Sequence, residues 1–210
     1  CFYYCTKLAS IDLSSITSLG DYCFQNCSNL TEVTLPNTIT SLSNYCFASC
    51  TKLASINLSN VTSLGQHCFN NCTNLTSIDL PNTTSLGSYS FASCTSLTSI
   101  NLPLVTTISA YCFERCYELT EVNAPNVTSL NSYCFCNSDL VSVDFPLVTT
   151  LGDNCFNNCT KLTSIDLPLA TSLSARCFYG CTNLTSINTP KITNLGDFCF
   201  YGCTNLTSID

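Results

Sequence analysis

The sequence predicts a solenoid of short parallel β-strands, and three observations carry that prediction. A 22-residue unit recurs along all 210 residues, as nine full copies and a partial tenth. Self-similarity at a fixed period of this length is the mark of a repeat architecture. Each copy carries its apolar residues at the same places, and 45% of residues are hydrophobic, which argues against a disordered chain. A unit this short cannot enclose a core alone, so copies must stack, like residues on like residues. At ~4.8 Å per rung, ten rungs give a body roughly 45 Å long.

With Cys or its substitute at position one, the units begin at Cys1, Cys23, Cys46, Cys68, Ser90, Cys112, Cys134, Cys155, Cys177 and Cys199. The consensus is C-F-x-x-C-T-x-L-T-S-I-D-L-P-x-V-T-S-L-G-x-Y. The second unit gains a residue near Thr38, and the seventh loses one in Cys134-Phe135-Cys136-Asn137, where Asn137 would take the place of the second Cys. In the eighth unit Leu162-Thr163-Ser164-Ile165-Asp166-Leu167 reads as a half-buried strand. Pro168 ends it, having no N–H to donate. Ala170-Thr171-Ser172-Leu173 is a second short strand, with Gly following it as a turn residue in most units. The aromatic-Cys-Phe segment that comes next is expected to form one turn of 3₁₀ or α helix.

These motifs resemble the BspA-like leucine-rich repeats of Treponema and Bacteroides surface proteins, over the whole chain. Phe156, Cys159, Leu162, Ile165, Leu167, Pro168 and Leu173 are the matching positions of the eighth unit. Cys at position one, where the family usually has Ala, is the departure. The resemblance implies a right-handed leucine-rich-repeat solenoid, with a parallel sheet on its concave face and short strands and helical turns on the convex side. It also implies a secreted or cell-surface location and, as in several members, adhesion.

Positions one and five hold 18 of the 19 cysteines, including Cys23, Cys27, Cys46, Cys50, Cys68, Cys72, Cys155, Cys159, Cys177 and Cys181; Cys136 stands outside both columns. The three-residue gap repeated down a stack lacks the paired spacing of zinc ligands, so no metal is expected. A ladder of buried thiols acting as small packers, and disulfides between neighbouring rungs, both fit the spacing. Disulfides within a unit fit less well, because Ser90 replaces one partner while Cys94 remains.

By the same resemblance, positions ten and twelve flank the inward strand residue and face outward on the concave side. They include Ser10, Asp12, Glu32, Asn57, Ser77, Asp79, Asn101, Glu121, Asn123, Asp144, Asp166 and Asn188. Seven of the 13 acidic residues fall in these two columns, with no Lys or Arg, making this ladder the candidate ligand-binding face. The same residues also serve simply to keep an exposed sheet soluble. The columns lack the Trp and Arg anchors of tight interfaces, so the expected partner is a protein, surface polymer or glycan, bound weakly and at many points. Position seventeen is Thr from Thr17 to Thr193, a strand preference that also admits the ice-binding reading of a flat Thr array.

A net charge of −7 excludes a basic nucleic-acid footprint, and no apolar run is long enough for a membrane span. His67, the single histidine, shares a column with Tyr22, Tyr45, Tyr89, Tyr111, Tyr133 and Phe198 and reads as a substitute for an aromatic. Glu114 and Glu118 read as a solvated turn beside Arg115 rather than as a catalytic carboxylate pair. No catalytic residues, cofactor or enzymatic activity are expected. The eleven N-x-S/T sequons follow from a chain rich in Asn, Ser and Thr, and they matter only in a eukaryotic secretory setting. Both ends keep the consensus without a polar cap, which reads as one solenoid within a longer array. The alternative is self-association through open ends into a structural filament.

Overall fold

A computed structural model of the chain describes residues 2–209. It is a parallel β-solenoid with two strand columns, one on each face of the core. The first column consists of Ser10–Asp12, Glu32–Thr34, Ser99–Asn101, Glu121–Asn123, Ser142–Asp144, Ser164–Asp166, Ser186–Asn188 and Ser208–Ile209. Asn57, Asp79 and Asn101 carry it through the third and fourth rungs as single bridges. The second consists of Ser41–Leu42, Ser63–Leu64, Ser85–Leu86, Thr107–Ile108, Ser129–Leu130, Thr150–Leu151, Ser172–Leu173 and Asn194–Leu195. Every strand pair is parallel, with equivalent residues opposite one another: Ser164 lies beside Ser186, and Ile165 beside Ile187. The strands are shorter than the six-residue runs of the sequence reading. Only three residues of each, or two, can pair before the chain turns toward the other face.

Where helical turns are expected, the described residues contain hydrogen-bonded turns and no helix. The reason lies in where the N–H groups point. Tyr22, Phe24 and Asn26 donate to Asn44, Cys46 and Ala48 of the next rung, at 2.9, 2.8 and 2.8 Å. Gln25 and Cys27, between them, close local turns onto Tyr22 and Phe24. Positions 22 and four take φ near +60° in rung after rung, as at Tyr45 (56°) and Ser49 (59°). Left-handed residues at those places break the helical repeat. A third inter-rung ladder therefore runs up the turn edge.

At Gly87 the glycine answers a close approach rather than a left-handed turn, although Ser43, Ser109, Asn131 and Ser174 hold the same position in other rungs. A Cβ on Gly87 would stand 2.4 Å from the Gln66 nitrogen, inside any allowed contact.

The two length changes show directly in the ladders. In the second unit Ile39 donates to Pro36, whereas Val61 in the regular third unit donates to Leu58 at position 13; the extra residue thus lies between Thr34 and Ile39. In the seventh unit the deletion falls later than the sequence reading places it. Asn137 keeps the left-handed φ of position four (58°) and donates to Asn157, and Ser138 occupies position five. Cys136 therefore sits in register at position three. The lost residue comes from the turn after Ser138, where Asp139 alone leads to the buried Leu140. No strand pairing joins Glu121–Asn123 to Ser142–Asp144 across that shortened turn.

The core between the faces is one continuous cluster of Leu, Ile, Val, Phe and Cys. Phe at position two stacks ring on ring, with Phe91, Phe113 and Phe135 at 5.5 and 5.4 Å and within 8° of parallel. The terminal rungs expose what the middle buries. Phe2 is 38% accessible and Leu195 50%, against 0% for Phe24.

Candidate functional site

The first face is built by alternation. In Ser164–Asp166 the central Ile165 points into the core, while Ser164 and Asp166 stand outside. All twelve candidate ligand-binding residues, from Ser10 to Asn188, are exposed, and parallel pairing sets them in register within three runs, over residues 10–34, 57–123 and 142–209. Asn123 donates to Asn101 at 2.9 Å and Asn188 to Asp166 at 2.7 Å, so the amides align the column with itself. Asp144 has Asp166 as its direct neighbour. The two ion pairs among the described residues, Glu114 with Arg115 and Asp139 with Lys161, lie off this face and leave its carboxylates to solvent. Shallow hollows open over Ser77, Asn101, Glu121 and Asn123 (about 230 Å³) and over Ser10, Asp12 and Glu32 (about 180 Å³). Asp210, the last acidic residue of the column, lies outside the described residues.

The Thr columns turn their hydroxyls inward along the stack. Thr62 donates to the Thr40 carbonyl at 3.0 Å, Thr84 to Thr62 at 3.2 Å and Thr193 to Thr171 at 3.2 Å. Their donors serve the solenoid, which accounts for the array without an ice surface.

The cysteine columns have two different jobs. At position five every thiol from Cys27 onward donates to the Phe carbonyl one rung back: Cys50 to Phe24 at 3.2 Å, Cys72 to Phe47 at 3.1 Å, Cys181 to Phe156 at 3.0 Å. Ser138 makes the same bond to Phe113 at 2.7 Å, which explains why Ser substitutes there. At position one the side chains stack in the core, Ser90 against Cys112 and Cys134 against Cys155, both at 3.2 Å. The 18 described cysteines are free thiols, nearly all buried. Burial pushes up the pKa of Cys112 to about 12 and of Cys136 to about 11, and raises those of Cys68, Cys72 and Cys94 as well, which makes these thiols packing groups rather than nucleophiles. Among the described residues no three His, Cys, Asp or Glu side chains gather as metal ligands.

His67 lies flat between Tyr45 and Tyr89, at 4.4 and 4.5 Å, as an aromatic substitute should. Burial lowers its pKa, favouring the neutral ring. Glu114 pairs with Arg115 at 3.5 Å, the local partner expected from the sequence. Beside it opens a cleft of about 730 Å³, between Tyr133, Arg176 and Tyr179 on the turn edge. The sequence reading passed over this cleft. Its signal was legible: Asn154 and Arg176 are the two non-aromatic residues in the position-22 column between Tyr22 and Phe198.

Stacked parallel rungs, a 22-residue period and a polar sheet face define a leucine-rich-repeat scaffold. The BspA type leucine-rich repeat region matches residues 1–120 and 84–207, in six copies. The chain belongs to that family. Its fold is similar to that of a leucine-rich repeat protein from Bacteroides ovatus, with 24% identity over 99% of this chain and 68% of that one and a TM-score of 0.75. A leucine-rich cell surface protein from Faecalibacterium prausnitzii gives 23% identity over 97% and 69%, also with a TM-score of 0.75. The T. pallidum leucine-rich repeat protein gives 28% over 84% and 78%, with a TM-score of 0.53. None of the curated proteins matches the chain. Among the described residues, no helix is long and apolar enough to cross a membrane.

Proposed function

We propose that this chain is a non-enzymatic binding module of a bacterial surface, adhering through the Ser and Asp/Asn columns of its first face. The observation that supports this reading most is the face itself: twelve exposed polar residues in three in-register runs, with carboxylates unpaired by any neighbouring cation. Such a ladder favours a partner that is basic or rich in hydrogen-bonding groups, and repetition favours many weak contacts over one tight epitope. The cell-surface relative from F. prausnitzii fits that setting.

Replacing Asp79, Asp144 and Asp166 together by Lys tests it. Beads coated with the chain should be retained on a surface of basic matrix protein, and the triple variant should lose retention at least about tenfold while its melting curve stays within a few degrees. Equal retention of the variant would remove the first face from the proposal.

A second reading is self-association of this 210-residue stretch, in which the apolar Phe2, Leu195, Phe198 and Ile209 are exposed. Light scattering across a concentration series decides it. A constant 22.8 kDa monomer, with or without reductant, speaks against stacking. Growth into long particles speaks for it.

A further inference from the structure

The position-22 column is a row of stacked rings interrupted at Asn154 and Arg176, of which only Arg176 supplies a flat group, its guanidinium. Tyr22, Tyr45, His67, Tyr89, Tyr111 and Tyr133 follow one another at 4.4 to 4.8 Å, all within 12° of parallel. Asn154 comes next, and its side chain is buried, with its Oδ1 accepting from Asn157 at 2.8 Å. The backbone has not slipped. Tyr133 donates to Asp153, Asn154 to Ala175 and Arg176 to Asp197, at 2.9, 3.0 and 2.9 Å, and φ is 60°, 57° and 54° at the three positions. One rung further the row resumes, with the Arg176 guanidinium carbon 5.6 Å from the Phe198 ring centre.

Tyr133 and Arg176 are therefore two rungs apart. At the 4.6 Å spacing of Tyr111 and Tyr133 that is about 9 Å, the room one flat ring needs to stack on both sides. The cleft of about 730 Å³ opens from this gap. We propose that it is a slot for one electron-rich planar ring, an indole or a phenol, held between Tyr133 and Arg176.

The chemistry selects that class. A guanidinium over one face favours an electron-rich ring, indole most of all. Tyr133 on the other face accepts any flat π system. At the rim Glu114 and the amides of Asn137 and Asn158 offer acceptors for an indole N–H or a phenol O–H. The slot lies on the turn edge, away from the first face, and does not depend on adhesion there.

The chain contains no Trp, so indole emission in a titration comes from the ligand alone. N-acetyltryptophanamide should show a saturable emission shift, with a dissociation constant in the range of about a millimolar. Asn154→Tyr restores the missing ring and should weaken binding at least about tenfold. That variant should fold, because five rungs already hold Tyr at position 22 with φ between 56° and 60°. Arg176→Gln should weaken binding about fivefold without altering the fold. Tighter binding of a short Trp-containing peptide would assign the slot to a partner's side chain, and equal binding to a free small aromatic. Unchanged binding by both variants would overturn the proposal, as would the absence of saturation. So would stronger competition from a saturated sugar such as methyl glucoside than from phenol.

Discussion

Raising the pH from 8 to about 10 under reducing conditions should unfold this protein cooperatively. Seven thiols, Cys68, Cys72, Cys94, Cys112, Cys116, Cys155 and Cys159, are fully buried, and for each burial is the largest cause of a raised pKa. In the unfolded chain they titrate from about 9.0, the ordinary value. Below that pH both states hold the proton and stability does not depend on these groups. Above it the unfolded state releases protons that the folded state keeps, so stability falls as pH rises toward the folded-state values. At pH 10 each thiol costs about 1.4 kcal/mol, and seven cost about 10 kcal/mol, comparable to the whole stability of an ordinary domain. Circular dichroism from pH 8 to 11 measures it. A solenoid still folded at pH 10.5 with reductant present would contradict the account. Survival only without reductant would instead indicate inter-rung disulfides, the other arrangement compatible with the spacing.

Truncating one ring of the internal phenylalanine row should have the next largest effect. Phe113 has no accessible surface and stacks on Phe91 and Phe135, tilted by only 2° and 8°. Phe113→Ala removes both stacking contacts and leaves a cavity that the regular rungs above and below cannot close. The expected cost is about 3–5 kcal/mol. In a solenoid each rung is coupled only to its neighbours, so the damage should also loosen the cooperative link between the two halves of the array. Phe200 is half-buried and stacks on Phe178 alone at 5.6 Å, and Phe200→Ala should cost roughly half as much. Denaturant melts of the two variants give the comparison. Equal losses would mean that the row contributes bulk burial rather than stacked order.

The charge-reversal test on the first face and the ring-binding test at Asn154 address different surfaces, so either can fail without the other. Asp144 and Asp166 act through a charge open to solvent. Asn154 acts through the absence of a flat side chain from a row that has a ring or the Arg176 guanidinium at its other positions.

Much of this was legible from residues alone. The period of 22 residues set the rung, and alternation about Ile165 placed Ser164 and Asp166 outside, where the structure has them. The column shared by His67 and the tyrosines predicted a stacked ring, and the ring stacks. Less legible were the places where the chain changes length. A missing residue leaves the flanking letters almost unaltered, so Cys134-Phe135-Cys136-Asn137 and the turn at Asp139 read alike. The N–H of Asn137, bonded to Asn157, decides between them. The expected helical turn failed for a related reason. Propensity reports on local bonds, whereas Tyr22, Phe24 and Asn26 donate to a rung 22 residues away.

The stacking of like on like, the apolar interior and the acidic, hydroxyl-rich face follow from the residues alone, because periodic side-chain chemistry is written residue by residue. Only the tertiary structure decided that the position-five thiols are hydrogen-bond donors to the rung before, and that Gly87 answers a backbone passing 2.4 Å from its missing Cβ. It also decided that Asn154 opens a gap between Tyr133 and Arg176. Each of these depends on the distance between residues far apart in the chain. That distance is set by how closely the rungs pack.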